Sequence, residues 1–237
     1  MDSSNAQFST LGKVVAAVAL IGLGYLLARS PIAPPIKAPT TTKATDSTTT
    51  TADIKNIKTD GAVYIGNANA PVTIAYWSDY QCPFCKKFET ETMPNVIKDY
   101  VTTGKVRVLL KDFQFLGRDS TTAALYARAV WELYPDRYFE WREAMYNAQD
   151  AENNGFGDEA SIEALTSKIS GLDAGKLAKL ATDKAAIYQA AIDADKAEAS
   201  SVGITGTPGV LIGTKVIPGA VAYTTIQPLL DAQLKTQ

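Results

Sequence analysis

Apolar positions are spread unevenly along the 237 residues of the chain. Val14–Ala28 is a run of 15 residues without a charge (VVAAVALIGLGYLLA), bounded by Lys13 and Arg29. A spanning helix takes about 20 apolar residues and a signal-peptide core about 7–15. Leu11 and the stretch Pro31–Ile36 lengthen the segment at its edges, and no small-x-small pair suited to cleavage stands just after it. Residues 1–29 are therefore read as a retained single-pass signal-anchor, with a cleaved export signal as the alternative. Lys13 before the run and Arg29, Lys37 and Lys43 after it leave the charge count near balance, so orientation is not set by it. Residues 30–58 change character: four prolines, then eight threonines between Thr40 and Thr51, with few large apolar residues. Such a stretch buries too little to offset chain ordering and reads as a linker.

From residue 59 to 237 the pattern becomes that of a folded domain. Ala62–Ile65 is a short strand candidate. Val72–Trp77 (VTIAYW) is apolar with little alternation, as a strand covered on both faces would be. Residues 82–100 turn helical, with Phe84, Phe88, Met93 and Val96 on one stripe and Gly104 as the stop. Val106–Phe115 reads as the next strand, which completes a βαβ unit. Helical segments follow: from Ser120 as cap to about Tyr134, from Pro135 to Ala148, Ser161–Ser170, Ala174–Leu180 and Thr182–Ser200. Tyr126, Val130, Trp131, Tyr134, Phe139, Trp141 and Met145 are expected to form the core of this insertion, which spans about residues 119–200. A strand after the GITGTPG loop, a strand at Thr214–Ile217 and a helix at Tyr223–Leu234 close the chain. The fold class is α/β, βαβ…ββα, with a helical insertion.

Composition narrows the chemistry. The net charge is −2, which excludes nucleic-acid binding driven by a general basic field. Histidine is absent, which removes His-based catalysis and His-ligated metal sites. Cys82 and Cys85 are the only cysteines, too few for a structural zinc site, so no metal and no cofactor are expected. Asp150–Ser161 follows the opening of a calcium loop but has Ser161 where a bidentate Glu belongs. It is read as a solvated loop in which Asp158 or Ser161 caps a helix.

The pair Cys82-Pro83-Phe84-Cys85 directly follows an apolar strand and opens a helix. A helix start offers unpaired N–H groups and about half a positive charge, both of which favour thiolate over thiol. The first cysteine is then a nucleophile at neutral pH, and the second, one turn on, resolves the mixed disulfide. Pro83 suits the first turn because its missing N–H is not needed there. Among the neighbouring aromatic residues, Tyr76 and Trp77 are expected in the core, while Tyr80 and Phe84 are candidates for a groove that takes unfolded polypeptide.

The ordered set SDYQCPFCKKF, KDFQFLG and GITGTPGVLIG resembles the DsbA-like branch of the thioredoxin-fold thiol–disulfide oxidoreductases over about residues 61–237. The resemblance implies Cys82 as attacking thiol, Cys85 as resolving thiol, a Cys82–Cys85 disulfide in the oxidised form, and a cis bond before Pro208. It implies that Thr207 and Pro208 offer backbone groups to an extended substrate. It also implies reduced exported proteins as substrates, a membrane redox partner that reoxidises the pair, and an extracytoplasmic domain tethered through residues 14–28. A reductase or isomerase on the same fold, or a redox-inactive tethered chaperone, are the alternatives. Two departures stand out. Tyr76 occupies the strand position where many relatives carry a buried acid, so such a carboxylate is missing or moved to the neighbourhood of Asp79, Lys111 or Asp112. Asp79 itself is read as a loop-capping residue. The dipeptide between the cysteines has no His, so the potential is expected between about −120 mV and about −270 mV, the oxidising and reducing ends of this fold.

Overall fold

A computed structural model of the protein describes residues 52–236. The signal-anchor read at residues 1–29 and the linker up to residue 51 lie outside the described residues. Among the described residues no helix is long and apolar enough to cross a membrane.

Strand β2 (Val72–Ser78) and strand β3 (Val106–Asp112) form the parallel centre of a five-stranded sheet, with Tyr76 opposite Leu110. Strand β1 (Val63–Ile65) adds antiparallel to β3, and strand β4 (Gly209–Ile212) antiparallel to β2. Strand β5 (Lys215–Pro218) closes the order β1-β3-β2-β4-β5. Side chains of a strand alternate between faces. Here Val72, Ile74, Tyr76, Val108, Leu110, Val210 and Ile212 join the larger core cluster, while Ala75, Trp77, Leu109 and Leu211 join a second cluster on the other face. Both faces are covered, which is why VTIAYW shows so little alternation.

The βαβ crossover starts at Pro83 and runs to residue 101 as α1 (Pro83–Lys87), a π turn (Phe88–Thr92), α2 (Met93–Val96) and a second π turn (Ile97–Val101). Pro94 cannot donate to the carbonyl four residues back, and the helix widens just before it. Of the expected stripe, Phe88, Met93 and Val96 are buried, whereas Phe84 is exposed. Helix α3 (Arg118–Leu133) starts before Ser120, which is buried inside its first turn. Gly117 stands at the cap with φ 100°, a conformation that side chains resist. The residues Phe113–Phe115 leave the sheet because the backbone N–H groups of Phe115 and Leu116 turn toward Asp79.

The insertion continues with a 3₁₀ turn at Pro135–Arg137, α4 (Tyr138–Ala148), α5 (Glu159–Thr166), α6 (Ala174–Asp183) and α7 (Ala185–Ser201). Asp158 caps α5 by accepting from the Ser161 N–H at 2.8 Å, as expected for a solvated loop. Of the residues expected in the insertion core, Tyr126, Val130, Trp141 and Met145 are fully buried, while Trp131, Tyr134 and Phe139 are half-buried. Helix α8 (Tyr223–Leu234) packs beside α2 and β4. Packing also reaches back into residues assigned to the linker. Ile57 is buried on the second cluster, Ile54 packs against it, and the Ile54 N–H donates to the Gly213 carbonyl at 2.8 Å.

Candidate active site at the start of helix α1

Strand β2 delivers the chain to Ser78, and the three residues Asp79–Gln81 then set Cys82 as the residue before helix α1, with φ −77° and ψ 118°. No side chain caps this helix end, so its first N–H groups are free for the sulfur. Asp79 fixes the loop: Oδ1 accepts from the Gln81 N–H at 2.9 Å and Oδ2 from the N–H groups of Phe115 and Leu116 at 3.0 and 3.3 Å. The capping reading of Asp79 thus matches its geometry.

Cys82 and Cys85 are both free thiols and both buried. The Cys82 thiol is held at about 6, below its ordinary value. A hydrogen bond from the Cys85 side chain is the largest cause; the Thr207 side chain and the N–H groups of Cys85 and Phe84 add to it, against the cost of burial. Burial first, then the hydrogen bond to Cys82 and its charge, push the Cys85 thiol well up. The two sulfurs are therefore unlike: one is a thiolate at neutral pH and its neighbour stays protonated. A thiolate beside a neutral thiol is the reactive form of a dithiol.

The loop before β4 comes against the pair. The Thr207–Pro208 bond is cis, as the resemblance implies, and Cys82 Sγ lies 3.5 Å from the Thr207 carbonyl oxygen. The structure thus brings Cys82, Cys85, Thr207 and Pro208 together. Phe84 is beside them and 63% exposed. Tyr80 is corrected from groove to core: it is 2% exposed and its hydroxyl lies 3.2 Å from that of Tyr138. The aromatic ring fills a pocket between Trp141 and Tyr146 instead of facing outward. Tyr76 and Trp77 are in the core as expected. Lys111 and Asp112 belong to a different network, in which Lys111 pairs with Asp195 and Glu198, and Arg128 joins Asp112 to Asp195.

Four polar side chains around the pair escaped the sequence reading. The Gln149 amide donates to the carbonyls of Tyr80 and Cys82 at 2.6 and 3.2 Å. Gln81 donates to the Phe156 carbonyl at 2.6 Å, so the insertion holds the cysteine loop from two points. Beneath the pair, Arg142 and Glu89 form a buried ion pair. Arg142 had a visible signal: Tyr138, Arg142 and Tyr146 recur every four residues, a charge inside an aromatic stripe. Single glutamines carry no such mark.

A protein-family model described as Thioredoxin matches residues 58–232. Disulfide bond formation protein D of Bacillus subtilis (strain 168) is 28% identical over 178 residues, which cover 74% of this chain and 78% of that protein. The crystal structure of oxidised BdbD from Bacillus subtilis superimposes with a TM-score of 0.70 at 24% identity, over 78% of this chain and 97% of that one. The thiol-disulfide exchange protein alpha-DsbA2 of Wolbachia pipientis gives a TM-score of 0.62 at 26% identity, over 72% and 86% of the two chains. With a pair of cysteines at a helix start, a cis-proline loop against it and a helical insertion between β3 and β4, the chain belongs to the thioredoxin family, among its DsbA-like thiol–disulfide oxidoreductases.

Proposed function

We propose that the protein exchanges disulfides with exported proteins through Cys82 and Cys85, in the oxidising direction, while tethered to the membrane. The observation that carries this reading is the split between the two sulfurs: Cys82 held at about 6 by hydrogen bonds, Cys85 protonated and shielded behind it. A low value at the attacking sulfur makes it a good leaving group, which favours giving the disulfide away. In that direction a substrate thiolate attacks Cys82, Cys85 leaves and takes up a proton, and a second substrate thiol then displaces Cys82. The relatives whose names speak of disulfide bond formation support the same direction. The Thr207 and Pro208 backbone, with exposed Phe84 beside it, is the surface proposed to hold the extended substrate.

Residues 14–28 are proposed as the anchor, and the packing of Ile54 and Ile57 on the domain shortens the proposed linker to residues 30–51. An oxidising dithiol is useful where glutathione and thioredoxin do not act on it, hence outside the cytoplasm, with a membrane partner to reoxidise it. The test is trapping in cells. Cys85→Ser is expected to accumulate mixed disulfides through Cys82, and the captured proteins are expected to be exported ones. Cys82→Ser is expected to capture none. Captured cytoplasmic proteins, or equal capture by both variants, overturn the reading.

A further inference from the structure

The sulfur of Cys82 depends on where its backbone stands. It meets the start of α1 and the Thr207 carbonyl only with the Cys82 peptide held at its present angles. In the oxidised form the bond to Cys85 fixes the sulfur covalently. In the thiolate form hydrogen bonds alone hold it. The Cys82 N–H donates to the Asp79 carbonyl at 3.1 Å, and the Cys82 carbonyl accepts from the Lys86 N–H at 3.1 Å, the first helical bond of α1. Further holds come from the insertion.

Gln149 and Gln81, both buried, supply them. Gln149 is the residue after α4, and its amide nitrogen donates to the carbonyls of Tyr80 and Cys82 at 2.6 and 3.2 Å. Gln81, next to the cysteine, commits both ends of its amide to the loop that follows α4. Its Oε1 accepts from the Asn153 N–H at 3.1 Å and its Nε2 donates to the Phe156 carbonyl at 2.6 Å. That loop is shaped to receive it: Asn153, Gly155 and Gly157 have φ of 54°, 116° and 112°. A side chain at Gly157 would place its Cβ 2.3 Å from Gln81 Nε2, so glycine is what leaves room for this bond. The stretch Asp150–Ser161, whose sequence opens like a calcium loop, is thus moulded on the residue before the attacking cysteine. The charged groups in this bonding pattern are Asp79 of the cysteine loop and Lys86 of α1, whose ammonium donates to the Gln149 carbonyl at 2.7 Å and to that of Asn147 at 3.5 Å. The two glutamines are neutral, so they act by placement and not by charge.

We propose that Gln149 and Gln81 are positioning residues through which the helical insertion sets the reactivity of Cys82. The proposal rests on Cys82 being the attacking thiol. Gln149 bonds the Cys82 carbonyl and Gln81 anchors the preceding residue, while the sulfur itself faces the Thr207 carbonyl. A reacting group keeps its geometry when a surrounding layer of hydrogen bonds fixes it to rigid elements, and loses it when that layer is removed. The thiolate relies on this layer more than the disulfide does, since the disulfide has its own covalent bond. Removing the amides therefore costs the reduced form more than the oxidised one. The Cys82 thiolate becomes harder to form and a poorer leaving group, and the protein becomes a weaker oxidant.

The test compares the full-length protein with Gln149→Met and Gln81→Met, which keep side-chain length and remove the amides. It reads the Cys82 titration by thiolate absorbance, the equilibrium with glutathione, and the urea midpoint of the oxidised form. Each variant is expected to raise the titration midpoint by about one pH unit, a tenfold loss of ionisation. The glutathione equilibrium is expected to move about tenfold toward the protein disulfide, which corresponds to about 30 mV. A titration and an equilibrium that stay in place, whatever the urea midpoint does, make the glutamines merely structural and overturn the proposal. Gln81→Met decides alone if Gln149→Met does not fold, because it leaves the carbonyls of Tyr80 and Cys82 with their donor. Gly157→Ala approaches from the other side: it displaces Gln81 without changing a residue of the cysteine loop, and is expected to move the titration the same way. A wild-type protein in which Cys82 does not titrate below Cys85 refutes the attacking-thiol reading, and the positioning role with it. A wild-type protein that does, with unmoved variants, refutes the positioning role alone.

Discussion

At the scale of single residues, the two sulfurs tie pH to reactivity and to stability. Cys82 is expected to be alkylated by iodoacetamide with a midpoint near its value of about 6, and Cys85 to stay unreactive over the same range. Equal labelling of both would remove the role assignment. A free thiol ionises at about 8.5. In the reduced protein the folded value of Cys82 is depressed, so its stabilising contribution is full above about pH 8.5 and is lost as pH falls through about 6. Cys85 acts with the opposite sign: its folded value is raised, so above about pH 8.5 the unfolded chain gains by ionising it. The oxidised protein has neither contribution. Urea midpoints measured from about pH 5 to about pH 8.5 should therefore rise in the reduced protein relative to the oxidised one; a flat difference would show that Cys82 is not depressed.

At the scale of elements, the sequence was most readable where one interaction dominates. Strand β2, the helix start at Pro83 and the closing helix follow from apolar runs and proline, and their bounds hold to within a residue or so. The start of α3 was misplaced because Ser120 offers a capping side chain, while tertiary packing buries it and Gly117 takes the cap. Tyr80 was misread because a lone aromatic residue in a loop gives no sign of the Arg142 and Tyr138 that enclose it from another element. The same limit hid Glu89 and Arg142, which are 53 residues apart in sequence. Lys111 was singled out for the wrong reason: it ties β3 to α7 and to the entry segment, with bonds of 3.0 Å to Asp195 and to the Lys58 carbonyl and 2.9 Å to Glu198. Replacing Lys111 by Met is expected to destabilise the domain by about 3–5 kcal/mol, the usual cost of breaking a buried pair from one side. The alkylation midpoint of Cys82 should not move, since the network lies away from the sulfurs. A denaturation curve and a labelling curve on the same variant check both halves.

At the scale of the whole molecule, residues 1–51 carry the proposed location, and the domain carries the chemistry. Protease added to intact cells is expected to release the domain, with the fragment beyond the linker recovered outside and a peptide containing Val14–Ala28 left in the membrane. A domain protected until the cells are broken would place it in the cytoplasm. A released domain whose mature amino terminus lies near Pro31 would keep the chemistry and replace the anchor by a cleaved signal. The bond pattern of Gln149 bears on the molecule as a unit. One amide nitrogen is shared by the carbonyls of Tyr80 and Cys82, and Lys86 closes the circuit by donating to the Gln149 carbonyl at 2.7 Å. The end of α4 is thereby geared to the backbone of the attacking cysteine. The cysteine loop and the helical insertion therefore share one joint, and a change at Gln149 would loosen the backbone of Cys82 and the end of α4 together.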